Sequence, residues 1–397
     1  GLMQIGDMIL DDPIPDEDDD FVSCIAILHF DSSGVFTDRT LIKSQRPSGS
    51  NYARIFEAAK DLEGNLWLFI FTLGNIYLHE PPAFIEYGEV DQFQLLKLDP
   101  EGALLAHSAM PFDLFRPVLN STIDGGMLLT FQNDAPGISV LGQIVPSGPT
   151  TLLLNTEMEV LQMIAADSFP TQLTGTHGTE FLQYHSSAVM DQEGAIIKSY
   201  LFRYPTVIDG TEYIPDVCQY YDYFDEDFDG EIDTVLITRT GYSTVIAKYE
   251  ADGTLLWSHE LKNCEDVYAG YITITPENNI FIQALASSNA NTILNNSSIL
   301  FPKTDAFFYA SNILFSSEGD LIYAKRYLSD IDIPFSPVFY NNKMLNVGSA
   351  VIYHENSTYF DRVAAFTMMN MESDPEVQGY LFCDPEDSTD VGYTLRL

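Results

Sequence analysis

A tight turn followed by a short apolar strand returns along the whole chain, and that return constrains the fold more than any other feature. Two forms of the turn alternate. The first stands at Asp31-Ser-Ser-Gly34, Asp99-Pro-Glu-Gly102, Val145-Pro-Ser-Gly148, Asp191-Gln-Glu-Gly194, Glu250-Ala-Asp-Gly253 and Ser316-Ser-Glu-Gly319. The second stands at Asp61-Leu-Glu-Gly64, Asp124-Gly-Gly126, Thr176-His-Gly178, Asp229-Gly230, Glu277-Asn-Asn279 and Asn341-Asn342. Strands such as Leu66-Trp-Leu-Phe-Ile-Phe follow directly. Glycine and asparagine suit such turns because they tolerate positive φ.

Each unit therefore holds two hairpin turns and about four strands. Four-stranded units at a period of roughly 40 to 60 residues are what propeller blades look like in sequence. The expectation is an all-β chain forming a single β-propeller of six or seven four-stranded blades, with a tandem of β-sandwiches as the rival. No segment sustains a helical period, so helix should be scarce. The expected division is an acidic lead-in over 1–19, the propeller over 20–371, and a closing segment or tail over 372–397. Two stretches, Asn75 to Asp91 and Ala284 to Asp305, break the rhythm and read as protruding loops.

Charge excludes some partners. Against 58 acidic residues stand 18 Lys and Arg, a formal net charge of -40. Such a surface repels nucleic acid phosphates and attracts divalent cations. No apolar run is long enough to span a membrane as a helix. The four cysteines, Cys24, Cys218, Cys264 and Cys383, form no CxxC pair; two disulfides in any of three pairings, or buried thiols, are both compatible with them. Glycosylation sequons begin at Asn120, Asn295, Asn296 and Asn356.

The sharpest motif is Asp225-Glu-Asp227-Phe-Asp229-Gly230-Glu231-Ile-Asp233. Carboxylates occupy positions 1, 3, 5 and 9, and Gly occupies position 6. Calcium takes six to eight oxygens, and alternate acidic residues converge when the chain curls. An EF-hand would require Glu at position 12, which is Leu236, and an apolar strand follows instead. The alternative is an acidic hairpin on an already acidic surface.

This loop resembles the calcium loops of FG-GAP and VCBS-type propeller blades. The resemblance implies side-chain ligands at Asp225, Asp227, Asp229 and Asp233, and a carbonyl ligand at Glu231. The repeat, from Asp91-Gln-Phe-Gln-Leu-Leu-Lys-Leu-Asp99 to Val245-Ile-Ala-Lys-Tyr-Glu250, resembles secreted or surface-anchored propellers of Bacteroidota. That implies an extracellular or cell-surface location.

Catalytic signatures are absent from the sequence. The seven histidines are scattered, with no HExxH and no GxSxG. Only Trp67 and Trp257 exist, too few for a quinoprotein propeller. Tyr204, Tyr213, Tyr220, Tyr221, Tyr223 and Phe224 precede the acidic loop and suit either strand packing or sugar stacking. The expected function is non-enzymatic: binding of a surface glycan or protein, or self-association, with structural calcium. The alternative is a hydrolase or lyase acting on polysaccharide at the propeller channel.

Overall fold

Strands account for all the regular structure among the described residues of this computed structural model. Those residues are 3–5, 8–10, 24–30, 33, 36–45, 53–79, 83–86, 91–111, 114–133, 136–169, 186–224, 233–265, 267–287, 290–296, 298–302, 308–327, 331–334, 338–340, 343–353, 360–370 and 375–381. Six sheets have four or more strands, all paired antiparallel. Sheet I holds Cys24–Phe30 and Phe36–Gln45, extended by Asn75–His79 and Ala83–Ile85. Sheet II is Ala53–Lys60, Leu66–Leu73, Asp91–Leu98 and Leu104–Met110. Sheet III is Leu114–Ser121, Met127–Asn133, Gly148–Leu154 and Val160–Ala165. Sheet IV is Ala188–Met190, Ile196–Phe202, Ser243–Tyr249 and Leu255–Lys262, extended by Thr292–Leu294 and Ser298–Phe301. Sheet V is Val267–Ile274, Ile280–Ser287, Phe308–Phe315 and Leu321–Tyr327. Sheet VI holds Ile331–Pro334, Val338–Tyr340, Lys343–Tyr353, Phe360–Asn370 and Pro375–Leu381.

The second and third strands of a sheet are hydrophobic on both sides because both sides are covered. Gly148–Leu154 and Ser243–Tyr249 are buried at every residue. The fourth strand Leu104–Met110 alternates instead. Alternation decides which neighbour each side chain meets. Leu68, Ile70, Leu96 and Leu98 of sheet II join Ile25 and Ile42 of sheet I. Trp67, Phe69 and Leu95 of sheet II join Leu129, Phe131 and Leu152 of sheet III. Leu128 and Leu153 of sheet III join Tyr200, Val245 and Tyr249 of sheet IV. Ile197 and Ile246 of sheet IV join Ile282, Ile313 and Phe315 of sheet V. Sheets I to V are thus stacked face to face in chain order.

The first strands of sheets II, III, IV and V pack against one another in turn. Burial, and then the charge on Glu57 of sheet II, push the Tyr271 phenol of sheet V upward.

Several turns read from the sequence fall where expected. Asp61–Asn65, Thr122–Gly126 and Thr275–Asn279 join first to second strands; Asp99–Ala103, Glu250–Thr254 and Ser316–Asp320 join third to fourth. Others are corrected. Val145 to Gly148 is not a first-form turn: it leads from a small hairpin into the third strand of sheet III. The real turn is Asn155–Glu159, hidden because Met158 takes the positive φ (65°) usually left to glycine. Asn155 Oδ1 holds it by accepting the Glu157 and Glu159 amides. Asp191 to Gly194 joins the first two strands of sheet IV, the role assigned to Asp229-Gly230. Thr176 to Gly178 lies outside the described residues, as does Asp11 to Asp20. Pro375–Leu381, within the expected closing segment or tail, pairs with Phe360–Asn370.

The two presumed loops are hairpins. Asn75–His79 pairs with Phe36–Gln45 of sheet I, and Thr292–Leu294 pairs with Leu255–Lys262 of sheet IV. Ile76, Leu78 and Ile85 of one, and Leu294 and Phe301 of the other, are buried anchors, which an irregular loop would not bury.

Two lysines, each ion-paired within its own sheet, reach across a seam. Lys97, two residues before the turn of sheet II, lies 3.3 Å from Asp61 and donates to the Thr156 carbonyl in the turn of sheet III (2.9 Å). Lys248, two residues before the turn of sheet IV, lies 2.7 Å from Asp191 and donates to the Ser317 carbonyl of sheet V (2.9 Å). Asp61 also accepts Trp67 Nε1 and Asn65 Nδ2 (3.0 Å each). Burial pushes the Asp61 carboxyl up, but the hydrogen bonds from Trp67, Asn65 and Lys97 outweigh it and hold the group below the usual range.

Candidate functional site

The meander fixes where insertions go. Turns of neighbouring sheets touch: Gln192 donates its amide N–H to Asn278 Oδ1 (3.0 Å) and its Nε2 to the Pro276 carbonyl (3.1 Å). The connections between second and third strands therefore emerge at the opposite end. Each of those described in sheets II to V carries a hairpin: 75–85, 138–145, 206–213 and 292–301, with a further one, 217–240, in sheet IV. Each of the first four buries one large side chain of its returning strand, at Ile85, Val145, Tyr213 and Phe301. Beside these anchors, Phe84, Ile144 and Ile299 are more than half exposed, as is Ile214 after the third hairpin. The hairpin end is thus studded with apolar side chains.

The acidic motif falls in sequence between the two strands of the longest insertion and ends at the first residue of the second. Val217–Phe224 pairs with Asp233–Thr240, from Val217 opposite Thr240 to Phe224 opposite Asp233. The root of this hairpin is clamped. Arg203 Nε donates to the Thr240 carbonyl (2.8 Å), and its guanidinium lies 5.6 Å over the Tyr242 ring, which packs on Tyr268. Cys218 and Cys264 form a disulfide, which selects one of the pairings the sequence allowed for these two cysteines. Gly241 passes so close to the Glu265 backbone that a Cβ would collide with it.

Of the expected calcium ligands, Asp225, Asp227, Asp229 and Glu231 lie outside the described residues. Asp233 opens the returning strand, its side chain likewise outside the description. Among the described residues, no three His, Cys, Asp or Glu side chains gather as a metal would require. Of the aromatic cluster, Tyr213 is buried and its hydroxyl meets Ser258 Oγ at 2.8 Å, while Tyr204 is partly exposed. Tyr213 is therefore a packing residue.

No family model matches this chain, and no curated protein matches it. Among solved structures it is similar to a protein of unknown function from Bacteroides caccae, with 11% identity, a TM-score of 0.36, and coverage of 72% of this chain and 68% of that one. No helix among the described residues is long and apolar enough to cross a membrane.

Three sequon asparagines are engaged in the fold. Asn120 Nδ2 donates to the Ala188 carbonyl across the seam between sheets III and IV (2.8 Å). Asn295 Oδ1 accepts the Glu260 amide (2.9 Å), and its Nδ2 donates to His259 Nδ1 (2.8 Å). Asn296 Nδ2 donates to Glu260 Oε2 (3.3 Å). Burial raises the Glu260 carboxyl, Lys262 at 3.2 Å opposes the rise, and Asp216 adds to it. His259, with Nε2 donating to the Gly319 carbonyl (2.6 Å), serves the seam between sheets IV and V.

A second polar grouping was missed by sequence reading because its members lie far apart in the chain. Desolvation raises the half-buried Glu57 carboxyl on the first strand of sheet II, and its charge adds to the burial that raises the Tyr271 phenol on the first strand of sheet V. Residue types alone carried no signal for this pairing.

Proposed function

We propose that this chain is a β-propeller of six or seven blades, of the secreted or surface kind seen in Bacteroidota, working outside the cell as a non-enzymatic binding scaffold. Its hairpin end joins a surface glycan, a protein partner or further copies of the chain. One structural calcium ion sits at the acidic tip, held by Asp225, Asp227, Asp229 and Asp233 side chains and the Glu231 carbonyl. The observation that supports the propeller reading is the contact of the first strands of sheets II, III, IV and V in turn, as expected along the inner edge of a ring of blades. The alternation of carboxylates in the motif supports the calcium reading, since calcium takes six to eight oxygen ligands. Calcium-loaded protein is expected to melt several degrees above chelator-treated protein, and Asp227→Asn with Asp229→Asn is expected to abolish that difference. Equal melting with and without chelator would count against calcium.

One further reading is a polysaccharide-acting hydrolase or lyase with its site at the propeller channel, for which the half-buried Glu57 carboxyl on a first strand is the candidate acid/base group. Glu57→Gln separates the two readings. It abolishes polysaccharide cleavage if the site is catalytic, and leaves binding at the hairpin end unchanged if it is not.

A further inference from the structure

The seam between sheets I and II changes character along its length. Part of it is a closed apolar contact of Ile42, Leu68, Leu96 and Leu98. Toward the hairpin end, four polar side chains converge on the same faces. Strand alternation puts Ser44 with Ile42, Thr72 with Leu68 and Ile70, and Gln92 and Gln94 with Leu96 and Leu98. Thr72 and Gln92 are directly opposed, and Gln94 stands one diagonal away, opposite Ile70. Thr72 and Gln94 are 0% exposed and Ser44 is 2% exposed.

Five polar atoms here find no hydrogen-bond partner among the described residues: Gln94 Nε2 and Oε1, Gln92 Nε2, Thr72 Oγ1 and Ser44 Oγ. The contrast is with the seam between sheets III and IV, where the buried Thr130 and Thr151 hydroxyls bond each other at 3.0 Å. Native folds leave very few buried donors and acceptors bare. Five at one seam call for a guest. The four side chains are uncharged and offer both donors and acceptors, so the guest is neutral and does both. The apolar neighbours Ala53, Ile70, Ile76 and Ile85 are buried in the same seam.

We propose that this seam is a built hydration site, in which ordered water joins sheet I to sheet II. A buried water makes about three hydrogen bonds, so five atoms require about two waters. Ile76 and Ile85, on the hairpin that pairs with sheet I, form the apolar cover. Sheets I and II are thus bridged by solvent where sheets II and III are fastened by Lys97.

A crystal structure of the full chain that resolves solvent tests this. Ordered peaks are expected at about 2.7–3.2 Å from Gln94 and from Thr72 or Ser44. The Thr72→Val, Gln94→Met double variant is expected to lose them. Water relaxation dispersion in solution gives a second reading: the count of long-lived internal waters should fall by about two in that variant. Direct pairing of the Gln94 amide with Thr72, Gln92 or Ser44, density larger than water, or an unchanged water count would each overturn the proposal.

Discussion

The seams on either side of sheet III bury a lysine in opposite ways. Between sheets II and III, Lys97 meets a carboxylate, Asp61, and a carbonyl of the next turn. Between sheets III and IV, Lys198 is 0% exposed and donates to the Pro149 and Ile164 carbonyls at 3.0 and 2.7 Å, with its ammonium 4.5 Å over the Tyr200 ring. Lys198 has no ion pair among the described contacts, and burial holds it well below the usual lysine range. The paired arrangement repeats in sheets II and IV, as Asp61 with Lys97 and Asp191 with Lys248. Sheets III and V carry Thr122 with Leu153 and Thr275 with Leu314 at the same two ranks. Alternate sheets thus carry an ion latch and an uncharged residue pair at equivalent positions. A buried lysine stabilises such a seam when its partner is charged; without one it is tolerated.

The largest effect should come from breaking a latch. Lys97→Met or Lys248→Met leaves a buried carboxylate unpaired and should cost about 3–5 kcal/mol, read by denaturant unfolding. Adding Asp61→Asn to Lys97→Met should recover much of that loss. No recovery would show that lysine packing, not charge pairing, holds the seam.

Opening the disulfide should come next. Cys218 and Cys264 close a loop of 46 residues, for which chain entropy gives about 4 kcal/mol as an upper figure. Reduction should lower the melting temperature and expose the acidic hairpin to protease before the sheets themselves.

Gly319→Ala should cost about 1–3 kcal/mol, since Gly319 sits at φ +93° with Trp257 against it. Its seam is the one where Lys248, Trp257 and His259 all donate to the same turn.

Lys198→Met should change stability by about 1 kcal/mol or less, because removing a buried charge offsets the lost hydrogen bonds. A loss as large as that of Lys97→Met would erase the distinction between the seams. Acid sharpens it further. The folded Asp61 carboxyl is depressed, so its contribution is present above the unfolded value near 3.9 and is lost as pH falls through the folded one. Asp61→Asn should flatten that part of the pH–stability curve, and Lys198→Met should leave it intact.

Much of this plan was legible from sequence. Asp61, Asp99 and Gly102 announce their turns because a side-chain acceptor and a positive-φ glycine are chemically specific. The turn at Asn155 was not, since Met158 stands where glycine was sought. The hairpins at 75–85 and 292–301 read as loops because their anchors, such as Ile76 and Phe301, are buried by a preceding sheet that local pattern does not reveal. The two-sided burial of third strands was visible as apolar runs, but the partner of Lys97 was not. Thr156 is 59 residues away, and only stacking brings its carbonyl to the ammonium. The acidic loop was legible as chemistry, and the structure adds the clamped hairpin that carries it.

Ring closure is the central claim, and a distance tests it directly. Spin labels at Thr37 of sheet I and Lys343 of sheet VI, in a Cys24→Ser, Cys383→Ser background, report how far the ends of the stack are apart. A closed propeller places them within about 25 Å, allowing for one or two sheet spacings and the label tethers. An open stack of six sheets at about 10 Å each places them about 50 Å apart; that result would contradict the propeller.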